Sequence, residues 1–596
     1  MRASNIIRTA LVCAAGVVPV LAAASGNAYY QHNLVADTTG TADFTDPNLI
    51  NPWGIATSAA SPFWVNDAGT GLSTVYTSSG SVSATKAIVP PSAAGKSPSV
   101  ATGIVANATG GFAVQPGRAP SFIFTTADGT ISGWASAVDP THAQLMVDNS
   151  KSGAVYYGLA ISGTTATPGP YLYAPNFNSG NIDVFDTNYK PVTLAGNFSD
   201  AKVPSGFAPF NIWNLGGKLY VMYAKQAANK QAWQDGPGNG YVAVFDLNGN
   251  LIQHLVSGGQ LNSPWGVAIA PANFGAFSNM LLVGNFGDGT INAFDPATGT
   301  YAGTLQDASG KNISISGLWA LIVGNGGNGG DPNAVYFAAG VGSQSHGLLG
   351  SLQAAPVITS SSIGNAADGV AVIAPNTWVS IYGANLAATT RAWATKDFVN
   401  NALPTAVDGV SVTVNGKAAF VGYVSPKQIN ILTPVDTAPG APVTVAVTSN
   451  SLAGSSASVP DMQCSPAPFF YKSGSPYIAA VHSDNVTPIG PTTLFPNSST
   501  PAKPGESIVI YATGYGDTSP QVGNGVVVPG HLPLATIPVV TIGGATAQIS
   551  FAGVTAPGLY QFNVTVPSSL PDGDAQVSIS VGSYVNPTGA MIAVAH

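Results

Sequence analysis

Between Asn51 and Leu352 the chain repeats one pattern of apolar and polar positions. A short apolar run opens beside a glycine, an aromatic-rich run follows, and a Gly/Asn/Asp turn leads into a β-branched or aromatic run. The opening run reads NPWGIATS, ATGIVANA, YYGLAISG, FAPFNIWN, SPWGVAIA and ISGLWALIVG. Corresponding glycines recur at about 50 residues, the length of a four-stranded propeller blade. Alternation in Asp183-Val184-Phe185 and in Val242-Ala243-Val244-Phe245 predicts strands buried between neighbouring sheets. Asp128-Gly129, Gly180-Asn181 and Asp288-Gly289 tolerate the positive φ of tight hairpins. A lone blade would expose both faces, so the repeats are expected to close into a six-bladed ring. A parallel β-helix is the competing architecture, but its repeats are shorter. The last repeat shows only three strands, and Asn33–Asp37 is an apolar stretch with no partner. Pairing it with Gly347–Ser351 would cover the open edge and close the ring.

A second duplication follows. Residues 374–383 (APNTWVSIYG) echo residues 503–512 (KPGESIVIYA), and Gln428, Asn430 and Pro434 match Gln561, Asn563 and Pro567 in mutual spacing. Short alternating strands between Pro/Gly turns predict a β-sandwich in each unit. The expected fold is all-β: a six-bladed β-propeller followed by two immunoglobulin-like β-sandwich domains. The expected boundaries are a propeller over 25–353, a linker over 354–368, sandwiches over 369–460 and 501–596, and an irregular insert over 461–500. The repeated Gln/Asn pairs read as hydrogen bonders within their own sandwich.

Composition sharpens this picture. Charged residues make up 7% of the chain, against about 25% in an ordinary soluble protein, so Ser, Thr, Asn, Gln and the backbone must supply the polar contacts. The net charge is −8 and no Lys/Arg cluster occurs, which argues against nucleic acid as a partner. Arg2 and Arg8, the apolar stretch from Thr9 to Leu21 and Ala22-Ala23-Ala24 predict a signal peptide over 1–24, with Ala28 as a second cleavage site. The expected location is therefore extracellular, at the cell surface or in the periplasm. Cleavage leaves Cys464 as the sole thiol, so no intrachain disulfide can form. No later apolar run is long enough for a transmembrane helix in the mature chain.

The blocks NPWGIA, YAKQ, PGNGYVAVFDLNGNL, SGGQLNSPWGVAIAP, LLVGNFGDGTINAFDP and HGLLGSL resemble an uncharacterised family of secreted bacterial six-bladed propellers, some of which carry a PEP-CTERM sorting signal. VHSDNVTPIGP, PGESIVIYATGYGDTSP and APGLYQFNVTVP resemble an uncharacterised C-terminal domain similar to IPT/TIG-type immunoglobulin folds. Neither resemblance implies an established activity. The loop between YAKQ and GPGNG, usually acidic in that family, is AANKQAWQD here. That loop is nearly stripped of carboxylates, keeping only Asp235, and the loop 341–346 (VGSQSH) has none of the Asp/Glu residues its relatives often carry.

Propellers present function at one mouth of the central channel. The aromatic candidates there are Trp53, Trp265 and Trp319; the polar ones are Asn66, Asp67, Asn176, Asn178, Lys225, Gln226, Asn285, Asp288 and His346. Aromatic faces beside fixed amides suit an extracellular glycan, peptide or small molecule. The three tryptophans recur at one repeat position, which favours packing between blades over binding. Glu506 is the only glutamate and no D-x-D-x-D-G or H-E-x-x-H run occurs, so neither a metal nor another cofactor is expected. Asp128 and Asp288 fit turn caps, as do Asp67 and the repeated Asp186, Asp246 and Asp295. His32, His142, His254 and His346 are read as one histidine per distant loop, without a G-x-S-x-G elbow. The reading is a binding or surface-scaffold protein with the propeller as recognition head. A propeller hydrolase or lyase acting on an extracellular small molecule or polysaccharide is the alternative.

Overall fold

The computed structural model describes residues 27–596 except 96, 164–168, 388, 436–438, 451 and 529; the signal peptide expected over 1–24 lies outside the described residues. Two compact units result, one over 27–354 and one over 355–596.

The first unit is a six-bladed propeller. Its inner strands are Pro52–Ala56, Ala101–Ala106, Ala160–Ile161, Phe207–Leu215, Pro264–Ile269 and Leu318–Val323, each opening its own antiparallel sheet. Each inner strand packs on the next, and the sixth returns to the first. Glycines make that approach possible. A Cβ on Gly54 would lie 2.6 Å from the Thr102 carbonyl oxygen, and one on Gly266 would lie 2.5 Å from that of Trp319. Five inner strands break register beside these positions, for example between Pro52 and Ile55 and between Pro264 and Gly266. Such bulges bend a strand and re-aim its side chains.

The ring closes as the unpaired N-terminal segment required. Tyr29–Ala36 runs antiparallel to Leu348–Ala354, with Asn33 opposite Gly350 and Val35 opposite Leu349. Tyr29 is buried and donates its hydroxyl to the Phe274 carbonyl at 2.9 Å. The third blade departs from the four-stranded expectation. It has three strands, Ala160–Ile161, Leu172–Asn176 and Asn181–Phe185. Where an outer strand would run, the chain crosses to the fourth blade: the Gly196 and Phe198 amides donate to the carbonyls of Asn248 and Gly249 at 2.8 and 3.0 Å.

The second unit holds two sandwiches. In the first, the sheet of Val357–Asn365, Trp378–Ala384, Gln428–Leu432, Phe420–Val424 and Arg391–Ala392 faces one built on Val410–Val414, Pro442–Ser449 and Leu452–Pro460. In the second, Ser507–Thr513, Leu559–Thr565 and Gln548–Ala556 face Val539–Ile542 and Gly573–Val581. The duplication extends to register, since Tyr382 opposes Gln428 as Tyr511 opposes Gln561. In both copies the Gln Nε2 donates to the Asn Oδ1 two residues on, at 2.8 Å.

Two expected boundaries need correction. The segment 354–368 is not a linker, because Val357–Asn365 pairs with Trp378–Ala384 as a sheet strand. The insert 461–500 is only partly irregular, because Ala467–Pro468 and Ala480–His482 both hydrogen-bond to Ser507–Thr513. The two sandwiches also share a core around Trp378, Phe420, Phe469, Tyr511 and Leu559.

Candidate functional site

The channel is filled, and its filling comes from the repeat. Because equivalent positions of a ring converge on one axis, Trp53, Trp265 and Trp319 meet there, at most 2% exposed. Trp53 stacks on Trp319 with centroids 3.6 Å apart, and Trp265 stands edge-on to both. The Trp265 indole N–H donates to the Tyr157 carbonyl and that of Trp319 to Asn51 Oδ1, both at 3.1 Å. The Trp53 indole nitrogen has no hydrogen-bond partner. These three tryptophans are therefore core, as their recurrence at one repeat position favours, and as binding candidates they are ruled out by burial.

One mouth of the channel is stitched in the same way in all six blades. The residue after each second strand donates its amide to the loop preceding that blade's first strand: Ala68 to Asn51, Ala127 to Val100, Phe177 to Val155, Gln226 to Gly206, Phe286 to Ser263 and Gly340 to Gly317, at 2.8–3.1 Å. Asp67, Asn176, Lys225 and Asn285 each immediately precede such a donor, so four expected site residues occupy one equivalent position. Three of them are buried and bonded within the scaffold. Asn176 Nδ2 donates to Asp183 at 3.1 Å, and Asn285 Nδ2 donates to the Gln260 carbonyl at 2.7 Å. Asp67 accepts the Thr74 hydroxyl at 2.7 Å, so it is a buried strand residue and not a turn cap. Burial, reinforced by the nearby carboxylate of Asp46, pushes the Asp67 pKa well above the usual range. Asn66 is also buried and donates to the Gly103 carbonyl at 2.9 Å. Only Lys225 is exposed at this position.

The residue that reaches the mouth is Trp233, which sequence reasoning missed. It lies in the hairpin after Lys225, where Gln226 pairs with Trp233 and the Gln234 amide donates to the Lys225 carbonyl at 2.9 Å. The Tyr157 hydroxyl holds that hairpin through the Gln231 carbonyl. The half-buried Trp233 ring meets Trp53, Tyr157, Phe210, Phe286 and Trp319, side chains of five blades. Phe286, also half-buried, stacks on Trp319 at 4.2 Å. Gln226 Nε2 reaches the carbonyls of Phe177 and Asn178, tying the strand end of Lys225 and Gln226, from which the Trp233 hairpin springs, to the Asn178 turn of the third blade. The available signal was negative: Trp233 is the aromatic residue of a loop that lies outside the repeat and carries a single carboxylate, Asp235.

Asp288 is exposed and caps its turn through the Thr290 amide at 2.9 Å. Asp186, Asp246 and Asp295 do the same, each accepting two amides at 2.8–2.9 Å. His346, half-exposed, pairs with Asp37 at 2.7 Å beside the closing strand. His254 is not in a loop. It lies on the outer strand of the fourth blade, Leu251–Ser257, with Nδ1 2.5 Å from Asp200 and Nε2 2.5 Å from Ser257 Oγ. Among the described residues no group of three His, Cys, Asp or Glu side chains is placed to hold a metal ion, and no helix is long and apolar enough to cross a membrane.

The second unit carries a cavity of about 380 Å³ bounded by Asp368, Tyr382, Phe469 and Lys472. Burial raises the Asp368 pKa to about 6. Cys464 is buried, and desolvation raises its thiol to about 11.

No protein-family model matches the chain. Among solved structures, the chain is similar to a streptogramin B lyase (12% identity, 55% of this chain and 97% of that chain, TM-score 0.31). It is also similar to a virginiamycin B lyase with quinupristin (12%, 55% and 98%, TM-score 0.32) and to a nidogen/laminin complex (13%, 40% and 72%, TM-score 0.26). Two uncharacterized proteins of Acanthamoeba polyphaga mimivirus are 35% and 34% identical over 329 residues, covering 54% of this chain and 78% and 84% of their own lengths. On that identity and coverage, the chain belongs to the same family as these uncharacterized mimivirus proteins.

Proposed function

We propose that the propeller is a recognition head of an exported protein and that its ligand, an extracellular glycan or peptide, docks on the cap formed by Trp233 and Phe286. The observation that carries this reading is the half-buried Trp233 ring. It is seated on buried aromatic side chains that fix its orientation and leaves part of its face to solvent. A rigid aromatic face costs little entropy to present, and binding energy concentrates in such anchors. Asn178, Gln226 and Lys225 supply donors and acceptors at its edge, the arrangement that orients a sugar ring or peptide against an apolar platform. The six amide stitches support the reading further, since a mouth held by backbone bonds is organised before its ligand arrives.

The test is a glycan and peptide array probed with the full chain, followed by titration of each hit against Trp233→Ala. An anchor of this kind predicts at least a tenfold loss of affinity with an unchanged far-UV spectrum. Hits that bind Trp233→Ala as tightly as the parent chain would remove the cap from the binding site.

A further inference from the structure

We infer that Ser257, His254 and Asp200 form an acyl-transfer site on the outer rim of the fourth blade, acting on carboxylic esters with small acyl groups. Asp200 is held first. Its side chain is 1% exposed, and its Oδ1 accepts the Lys202 amide at 2.9 Å. The other oxygen faces His254 Nδ1 at 2.5 Å. An ionised carboxylate only accepts, so the proton lies on Nδ1 and the Nε2 lone pair is free. Nε2 faces Ser257 Oγ at 2.5 Å, and Ser257 is exposed whereas the imidazole is 8% exposed. A buried acid, a sheltered base of fixed tautomer and an accessible hydroxyl are the parts of a serine nucleophile system, recognised by geometry and not by sequence order.

Local backbone explains how three distant residues meet. A break in strand pairing puts Val256 opposite Val242 but His254 opposite Ala243, so Leu255 is bulged between them. The bulge lets residues three apart on one strand face each other. Asp200 arrives because the third blade lacks an outer strand and its chain runs to the fourth blade instead. Beyond Ser257, Gly258 and Gly259 take φ of +50° and +60°, and the amides of Gly259 and Gln260 donate to no protein acceptor among the described residues. Free amides directly after a nucleophile are the donors an oxyanion requires. Tyr241 lies beside the imidazole at 6.1 Å and packs edge-on against Phe207, giving the acyl group an apolar wall. The exposed rim position of Ser257 suits a short acyl chain carried on a larger molecule.

The step balances without a cofactor. Ser257 Oγ bonds to the ester carbonyl carbon while its proton moves to His254 Nε2. The alkoxide leaves as the C–O bond breaks and takes that proton as the alcohol. Water then adds to the acyl-serine, giving one proton to Nε2; collapse of the adduct returns it to Ser257 Oγ and releases the carboxylic acid. Asp200 is a positioning residue throughout, holding the imidazole and not touching the substrate.

The full chain is tested with a fluorophosphonate probe and with p-nitrophenyl acetate. Intact mass and peptide mapping should place one adduct on Ser257. Ser257→Ala and His254→Ala should each lower ester turnover at least 100-fold, while Thr500→Ala, which removes a hydroxyl from a different histidine, His482, leaves it unchanged. Asp200→Asn should slow labelling and alter the pH dependence of turnover, because Asn can hold the imidazole in the wrong tautomer. Melting curves check that each variant folds; the exposed Ser257→Ala decides the matter if His254→Ala does not. An unlabelled Ser257, or turnover that survives in folded Ser257→Ala, overturns the assignment.

Discussion

The propeller and the sandwiches are both built by duplication, yet duplication has opposite results in the two. Six copies around an axis bring equivalent residues into mutual contact, so one repeat position supplies Trp53, Trp265 and Trp319 to a single plug. Two copies in tandem leave equivalent residues apart and free to diverge. Tyr382 and Tyr511 keep the same register, but Trp378 has no aromatic counterpart and instead packs against the second sandwich, its indole N–H bonded to the Pro557 carbonyl at 3.0 Å. Ring symmetry concentrates one residue type at a point, whereas tandem order lets a single residue become the joint.

The same contrast holds for the histidines. His482 meets Glu506 at 3.0 Å and Thr500 Oγ1 at 2.9 Å, an arrangement outwardly like that of His254. There, however, Nε2 also lies 3.3 Å from the Thr500 carbonyl, a second oxygen competing for that nitrogen. His254 Nε2 faces only a hydroxyl. The His482 Nε2 is shared between a hydroxyl and a carbonyl; that of His254 faces the serine hydroxyl.

The comparison breaks most decisively at ring closure. Deleting 29–36 removes the strand that pairs with Leu348–Ala354. Calorimetry should then show the propeller transition lost and the sandwich transition unmoved. An unshifted propeller would mean that the ring does not depend on that strand. Next in size, Trp319→Ala and Trp378→Ala should each cost about 3–5 kcal/mol, the first lowering only the melting of 27–354 and the second only that of 355–596.

The smallest effect sharpens the comparison through pH. Burial raises the Asp368 pKa to about 6, above its value of about 4 in an unfolded chain. The native state therefore holds this proton more tightly, and the stability it contributes is full below pH about 4 and lost as pH rises through about 6. Asp368→Asn should stabilise the sandwich unit by about 1–2 kcal/mol at pH 8, the shift being discounted for partial solvation, and should leave it unchanged at pH 4. Equal melting shifts at both pH values would remove the titration from the explanation.

The architecture was legible because repeats of fixed length cannot be hidden by local irregularity. Even the closing strand could be read from Asn33–Asp37, an apolar stretch with nothing of its own to pair with. The linker was misread because the strand Val357–Asn365 exposes three small polar residues in its middle, and such a stretch looks like a loop. Within the repeats, sequence could identify equivalent positions but not depth, which is why Asn66 and Asp67 were expected at a surface they do not reach, whereas the shared repeat position of the tryptophans already favoured packing. Trp233 and Asp200 were beyond it for the opposite reason. Both lie where the repeat lapses, and only tertiary structure says where a lapse leads.

The strand that completes the ring joins residues more than 300 positions apart, as the Asp37–His346 pair shows. A ribosome delivers the first partner long before the last. During synthesis, Tyr29–Ala36 has only the two-residue strand Phe44–Thr45 to pair with while five blades form, and the final seam can be sewn only when Leu348–Ala354 has emerged. Pairing over so long a loop is slow, and an exposed strand edge invites other chains. The closing strand thus makes the propeller a test of its own completeness, since a chain cut short anywhere before the sixth blade carries an unmatched end that marks it as unfinished.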